Sequence, residues 1–379
     1  MRRLSTKLVS KPACLTLLAL SIASIGNAQA GVTIKGPGDS SFSIGAGIRM
    51  SYTGSDEADK DFELENTRIF TSGKITKDIG AVFNLEKKGG PDDDESLAIL
   101  DAIGQFSFSP ELNLWVGRML PAVDRANLAG PFYATGWSYP GLVSGNPAIA
   151  VGRDNGAQVW GNLLAGKFKY VLGLFEGHNN FEGPGGTDSL AVTGRFAYSF
   201  IGSEAGPVYY ENATYHGAQD LLTLAFGFQS QNDGVGTAVE QDDYLSWNID
   251  VLYETKLTPT TGSLTLEGAY YKYDYDVLDT APAGDRDNIG GAPAPGDAIL
   301  ASVAYLFPSL IGPGRLQPYI RYQKKEDDIN DVDAEQWDFG LNYVIKGHDA
   351  RISLTYTDFD SDDDSADDSC YVLGVQLQY

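Results

Sequence analysis

The chain closes on CYVLGVQLQY (370–379), which sets Tyr371, Leu373, Val375, Leu377 and Tyr379 at every second position. Between them come Val372, Gly374, Gln376 and Gln378. A period of two is that of a strand with one apolar face. Chain ends ordinarily fray and are polar, so this ending predicts a C-terminus held in a sheet.

The same alternation recurs upstream. QWDFGLNYVIK (336–346) sets Trp337, Phe339, Leu341, Tyr343 and Ile345 against Gln336, Asp338, Gly340, Asn342, Val344 and Lys346. RLQPYIRYQ (315–323), RISLTYT (351–357) and SFSIGAGIRMSYT (41–53) follow suit. A soluble β-sandwich would show this pattern too. Two details favour a barrel in lipid: aromatics sit near both ends of the apolar faces, and full charges occupy the middle of the polar ones. Facing assigns Arg49, Glu86, Arg195, Asp250, Glu254, Glu267, Arg315, Arg321, Asp338, Lys346 and Arg351 to the lumen. The fold class expected is all-β, a transmembrane antiparallel β-barrel. About 16 strands are counted, beginning near residue 41 and ending at Tyr379. An even number returns both ends to one rim, where the first and last strands close the sheet.

Connections sort into two kinds. Those at 54–61, 87–96, 176–188, 231–243, 274–297, 324–335 and 358–370 are long, and together they carry a charge of −28. The alternate ones are mostly tight turns such as TKDIG (76–80) and KGHDA (346–350), with residues 201–220 as an exception too long for a turn. Long loops on one rim and short turns on the other are a barrel signature. One long connection differs: between Ala126 and Gly152 it has no charged residue and eight that are Gly or Pro. Those residues break helices, and an apolar loop is poorly placed in water. The expectation is that 119–153 folds into the barrel, with Asp124, Arg125 and Arg153 near a constriction.

Residues 1–30 read as a signal peptide: Arg2, Arg3, Lys7 and Lys11, an apolar stretch, then Ala28-Gln29-Ala30. The barrel then spans 31–379. The 27 basic residues less the leader's four leave 23 against 51 acidic ones, a net −28. Such a surface excludes nucleic acid as a partner. His178, His216 and His348 lie in separate connections, and no GxSxG, HExxH or CxxC motif occurs. No enzyme, metal site or cofactor is therefore expected. The acidic run at 358–370 lacks the glycine and closing glutamate of an EF-hand and reads as a solvated tip, bridged to lipopolysaccharide by divalent ions.

ENTRIFTSGKITKDIGAVFNLEKK (65–88), SPELNLWVGRMLPAVDRANL (109–128), GRDNGAQVWGNL (152–163), SLAVTGRFAYSF (189–200), LQPYIRYQ (316–323) and GLNYVIKGHDARISLTY (340–356) resemble the phosphate-selective porin O/P family of Gram-negative outer membranes, which includes short-chain amide porin-like members. The resemblance implies a sixteen-stranded barrel, usually a homotrimer, that passes small hydrophilic solutes. It further implies that Tyr379 is a signal read by the barrel-assembly machinery. Phosphate selectivity would need clustered Lys and Arg along the approach. Here that approach is acidic, so a weakly selective diffusion channel is expected instead.

Overall fold

The computed structural model describes residues 31–55, 61–88, 97–145, 152–177, 189–206, 208–236, 241–258, 260–275, 295–328, 332–362 and 368–379. The leader, most of the acidic connections and residues 146–151 of the apolar loop lie outside these.

Seventeen strands are present among the described residues. On one half lie β1 (Val32–Lys35), β2 (Ser41–Ser55), β3 (Asp61–Lys74), β4 (Ile79–Lys88), β5 (Ala98–Ser109) and β6 (Leu112–Met119). After a short helix α1 (Arg125–Tyr133) come β7 (Asp154–Leu163), β8 (Phe168–Phe175), β9 (Ala191–Ile201), β10 (Leu221–Gly236) and β11 (Gln241–Thr258). The rest are β12 (Gly262–Asp274), β13 (Gly296–Leu306), β14 (Arg315–Asp327), β15 (Val332–Lys346), β16 (Ala350–Ser361) and β17 (Asp368–Gln378). From β2 onward each strand pairs antiparallel with the next, and β17 pairs with β2. The sheet is thus a closed 16-stranded barrel with no free edge, as lipid demands of a spanning sheet.

The short β1 was not expected. It lies on the edge of β2 that β17 leaves uncovered: β17 pairs with Gly47–Ser55, whereas β1 pairs with Ser41–Ile44. Four residues are too few for a period of two to declare itself, which is why the sequence did not announce this strand.

Faces follow the alternation. Ile48, Met50, Leu341, Phe339, Leu354, Leu373 and Leu377 are exposed on the outside, while Arg49, Ser51, Asp338, Asn342, Ser353 and Gln376 are buried within. Aromatic pairs mark two girdles. Tyr52–Phe62, Trp247–Tyr270 and Tyr322–Trp337, with centroids 5.0, 5.4 and 4.6 Å apart, lie toward the long connections. Tyr198–Phe200 and Tyr305–Phe307, at 4.8 and 5.0 Å, lie toward the turns. Such rings anchor at the two water–lipid interfaces. A one-residue slip of any strand would exchange its faces. Each arginine so moved to the lipid midplane would cost about 2–4 kcal/mol, which holds the register.

Candidate functional site

The interior is filled from both rims. A first insert, residues 120–145, follows β6 and enters from the rim of the long connections. Asp124 begins α1: it is the N-cap, accepting from the backbone N–H of Asn127 at 3.1 Å, and it also accepts from the hydroxyl of Ser144. Gly130, with φ 57° and ψ −168°, and Pro131 interrupt α1, so the segment packs as two short turns. No helix among the described residues is long and apolar enough to cross a membrane.

A second insert, residues 202–220, joins β9 to β10 and enters from the turn-side rim. Sequence reading identified it as too long for a turn but gave it no role. Its signal was composition: Glu204, Tyr209, Tyr210, Glu211, Tyr215 and His216 in a stretch where the other connections are a few residues long. Tyr209 donates to the carbonyl of Leu120 at 3.0 Å, and Ala213 N–H donates to the carbonyl of Tyr133 at 3.2 Å. The inserts therefore meet inside the barrel.

Where they meet, three cations and three carboxylates are interleaved. Arg125 donates through both terminal nitrogens to Glu204 at 2.9 Å each and lies 3.5 Å from both Glu211 and Asp250. Arg195 on β9 bonds Asp250 at 2.5 and 2.9 Å and Glu211 at 2.7 and 3.2 Å. Lys169 on β8 stands 3.9 Å from Glu211. Formal charges cancel, as burial requires. Burial alone would raise the carboxyl of Glu204, yet the Arg125 guanidinium holds it down to about 2. Burial pulls Arg125 the other way, and its carboxylates outweigh that, keeping it well above the ordinary arginine value.

Wall arginines fasten the backbone of the first insert. Arg49 donates to the carbonyl of Trp137 at 2.5 Å, Arg321 to that of Ser138 at 2.8 Å, Arg351 to that of Ala134 at 2.7 Å and Arg195 to that of Val123 at 3.0 Å. Asn342 and Gln376 donate to the carbonyls of Thr135 and Phe132, each at 2.9 Å. A loop without a sheet partner must satisfy its carbonyls somewhere, and here side chains serve. Glycines make room opposite the bulkiest insert side chains. A Cβ on Gly47 would stand 2.8 Å from the ring of Phe132, and one on Gly374 would overlap the indole of Trp137.

The residues singled out from sequence divide accordingly. Arg49, Arg195, Arg321 and Arg351 hold the first insert, and Asp250 belongs to the mixed-charge cluster. Glu254 accepts from Thr214 Oγ1, Thr265 Oγ1 and the N–H groups of Tyr215 and Gly217, at 2.7–2.9 Å, and so fixes the turn of the second insert. Asp338 takes the Nε of Arg321 at 2.8 Å, and Glu86 bonds Arg68 and Asn66 on the adjacent strand. Asp124 and Arg125 are neighbours, but Arg153 pairs elsewhere, its Nε 3.3 Å from Asp101 on β5. Arg315 is half-buried where β14 leaves the turn-side rim. Lys346 departs from its assignment. It is 79% exposed and pairs with Asp349 at 3.1 Å, because the register shifts between Val344 and the turn and carries it out of the lumen. Glu267 lines, with Ala126, Ala129, Thr135, Ala213, Ser302 and Arg321, a cavity of about 10 Å³ between the first insert and the wall. That is about the room one water needs.

No family model matches the chain, and no curated protein matches it. Solved structures do. OmpF of Salmonella typhi, in a complex with daunomycin, aligns at 12% identity over 92% of this chain and 100% of its own, with a TM-score of 0.62. In-vitro folded OmpT of Vibrio cholerae, in trimer form, aligns at 11% identity over 90% and 100%, with a TM-score of 0.54. The outer membrane channel DcaP of Acinetobacter baumannii aligns at 10% identity over 91% and 99%, also with a TM-score of 0.54. The closed barrel described above is thus the fold of outer-membrane β-barrel proteins.

Proposed function

We propose that this chain is an outer-membrane porin, a narrow channel through which small hydrophilic solutes and ions diffuse with weak selectivity. The observation that carries the reading is the combination of a lipid-compatible outside with a charged interior crossed by an insert tied to the wall on many sides. The segment 119–153 would set the bore, with Asp124 and Arg125 beside its narrowest part. The mixed wall and the acidic connections support weak rather than phosphate- or amide-specific passage, although the motifs quoted above resemble the phosphate-selective porin O/P family. No catalytic role belongs to this reading.

A homotrimer in lipid and lipopolysaccharide, assembled by the barrel-assembly machinery through Tyr379, completes it. Trimeric OmpT supports the oligomeric state by analogy of fold alone.

A non-conducting barrel is the second reading, and one observation favours it: Gln158, Gln317, Asn342, Ser353 and Gln376 on the inward face are wholly buried beneath the inserts. Refolded protein in a planar bilayer separates the two. Discrete current steps, larger after deletion of 126–145, are expected of the channel. Silence from the wild type together with steps from the deletion would establish a plug.

A further inference from the structure

The interior carboxylates are almost all spoken for. Glu86, Asp101, Glu204, Glu211, Asp250, Glu254 and Asp338 each have two or more polar partners. Glu267 differs. It points inward from β12, it is only half-buried, and it makes no hydrogen bond or ion pair with the described residues. Its neighbours across the small cavity are the alanines of the first insert, Ser302 and Arg321.

An unpaired carboxylate at membrane depth is expensive unless water reaches it, and the half-exposure of Glu267 lets water reach the gap it faces. We infer that Glu267 is the selectivity-determining residue of the channel, and that the route between the first insert and β12–β14 passes small cations in preference to anions. This rests on the channel reading above.

The local charge balance gives the sign. Arg321 lines the same gap, but its Nε is bonded to Asp338 at 2.8 Å and its terminal nitrogens to the carbonyl and hydroxyl of Ser138 at 2.8 and 3.1 Å. That neutralises its charge and engages three of its five N–H groups. The mixed cluster of Arg125, Arg195, Lys169, Glu204, Glu211 and Asp250 sums to zero. Arg351 has no carboxylate within salt-bridge distance among the described residues, yet it is 1% exposed and sealed under residues 134–136, away from water. What remains facing the gap is one carboxyl group with oxygens around it, the hydroxyls of Ser302 and Thr135. A cation that has shed part of its hydration finds replacement oxygens there. An anion meets the Glu267 carboxylate there, with donors left only in the Ser302 hydroxyl and the remaining N–H groups of Arg321.

The test is reversal potential in a KCl gradient, wild type against Glu267→Gln, which has nearly the same shape and breaks no bond, with Glu267→Lys as the charge inversion. A single charge beside a narrow wet path attracts a cation and repels an anion by similar amounts. The Gln variant should therefore lower the cation-to-anion permeability ratio about fivefold at low salt. The Lys variant should invert the preference, and conductance should persist in both. Unchanged selectivity in two conducting variants would overturn the role of Glu267 while leaving the channel reading intact. A wild type that never conducts would overturn both.

Discussion

Tyr379 and Ala46 exchange both of their backbone hydrogen bonds, each at 2.7 Å. The last residue of the chain is therefore a full member of the seam between β17 and β2, and β1 continues the same edge from Val32, opposite Ile44. The alternating ending read from sequence has this as its physical cause: each backbone group left unpaired within the hydrocarbon costs several kcal/mol.

Removing Tyr379 should thus injure the barrel in two separable ways. Tyr379→Ser keeps the backbone pair and removes the ring, whereas deletion of the residue removes both. If the ring serves assembly, Tyr379→Ser should reduce the amount of heat-modifiable barrel in outer membranes while leaving the melting of what does assemble unchanged. Deletion should also lower that melting temperature. Equal yields of Tyr379→Ser and wild type would remove the assembly role.

A second prediction concerns the seat of the first insert. Trp137 lies over the inward face of Gly374, its ring 4.1 Å from the Arg49 guanidinium, and its indole N–H donates to Glu65 at 2.7 Å. Gly374→Val would push this ring off the wall without disturbing the outer face of β17. The barrel should still fold, as judged by heat-modifiable migration in detergent, but single-channel conductance should rise because the insert no longer lies flat. A conductance equal to wild type would mean that the insert's position does not control the bore.

The wall was legible in the sequence and the contents of the barrel only partly so. Strand facing is local information: Arg49, Asp250, Arg321 and Asp338 could be assigned inward from their immediate neighbours, because alternation has a period of two. Partners are not local. Arg351 bonds Ala134 across 217 residues and Arg195 bonds Val123 across 72, and nothing in either neighbourhood encodes the match. The second insert shows the same limit. Its length marked it as unusual, but its destination depends on Glu254 and Gln158, which lie on other strands. Lys346 failed for a smaller reason: the alternation rule assumes an unbroken register, and a bulge sits one residue before it.

Cluster energetics supply a third prediction. Arg125 is 1% exposed and neutralises Glu204 on the other insert. Arg125→Met would leave Glu204 buried without its cation and should destabilise the barrel by about 3–5 kcal/mol, read as a lower urea midpoint in detergent. Adding Glu204→Gln should restore much of the loss, since breaking a buried pair costs more than replacing it by neutral groups of similar shape. A double variant no more stable than the single would show that the two residues are not coupled.

The last prediction is a pH dependence at the junction of the inserts. His216 on the second insert and His348 in the β15–β16 turn have ring centroids 4.5 Å apart, and His348 Nε2 donates to the carbonyl of Thr214 at 2.9 Å. Tyr133 of α1 stacks edge-on against His348 at 5.2 Å, and Arg351 and Arg315 supply positive charge from β16 and β14. Burial, then the neighbouring Arg351, brings His348 down to about 4 from its ordinary 6.5. Burial, then His348 itself, keeps His216 well below its usual value. Above pH 6.5 both rings are neutral whether the insert is docked or not, and docking is at full strength. As pH falls from 6.5 toward 4 the undocked rings take up protons that the docked ones refuse, so docking weakens across that window. Glu204, held near 2 while docked against an ordinary 4.5, adds to this loss only near pH 5 and below. Hydrogen exchange at residues 213–217 should therefore accelerate between pH 7 and pH 5.5, where only the histidines take up protons, after correction for the intrinsic rate. His348→Gln, which keeps a donor toward Thr214, should flatten the change. Equal protection at both pH values in the wild type would show that the histidine pair does not govern how the second insert is held.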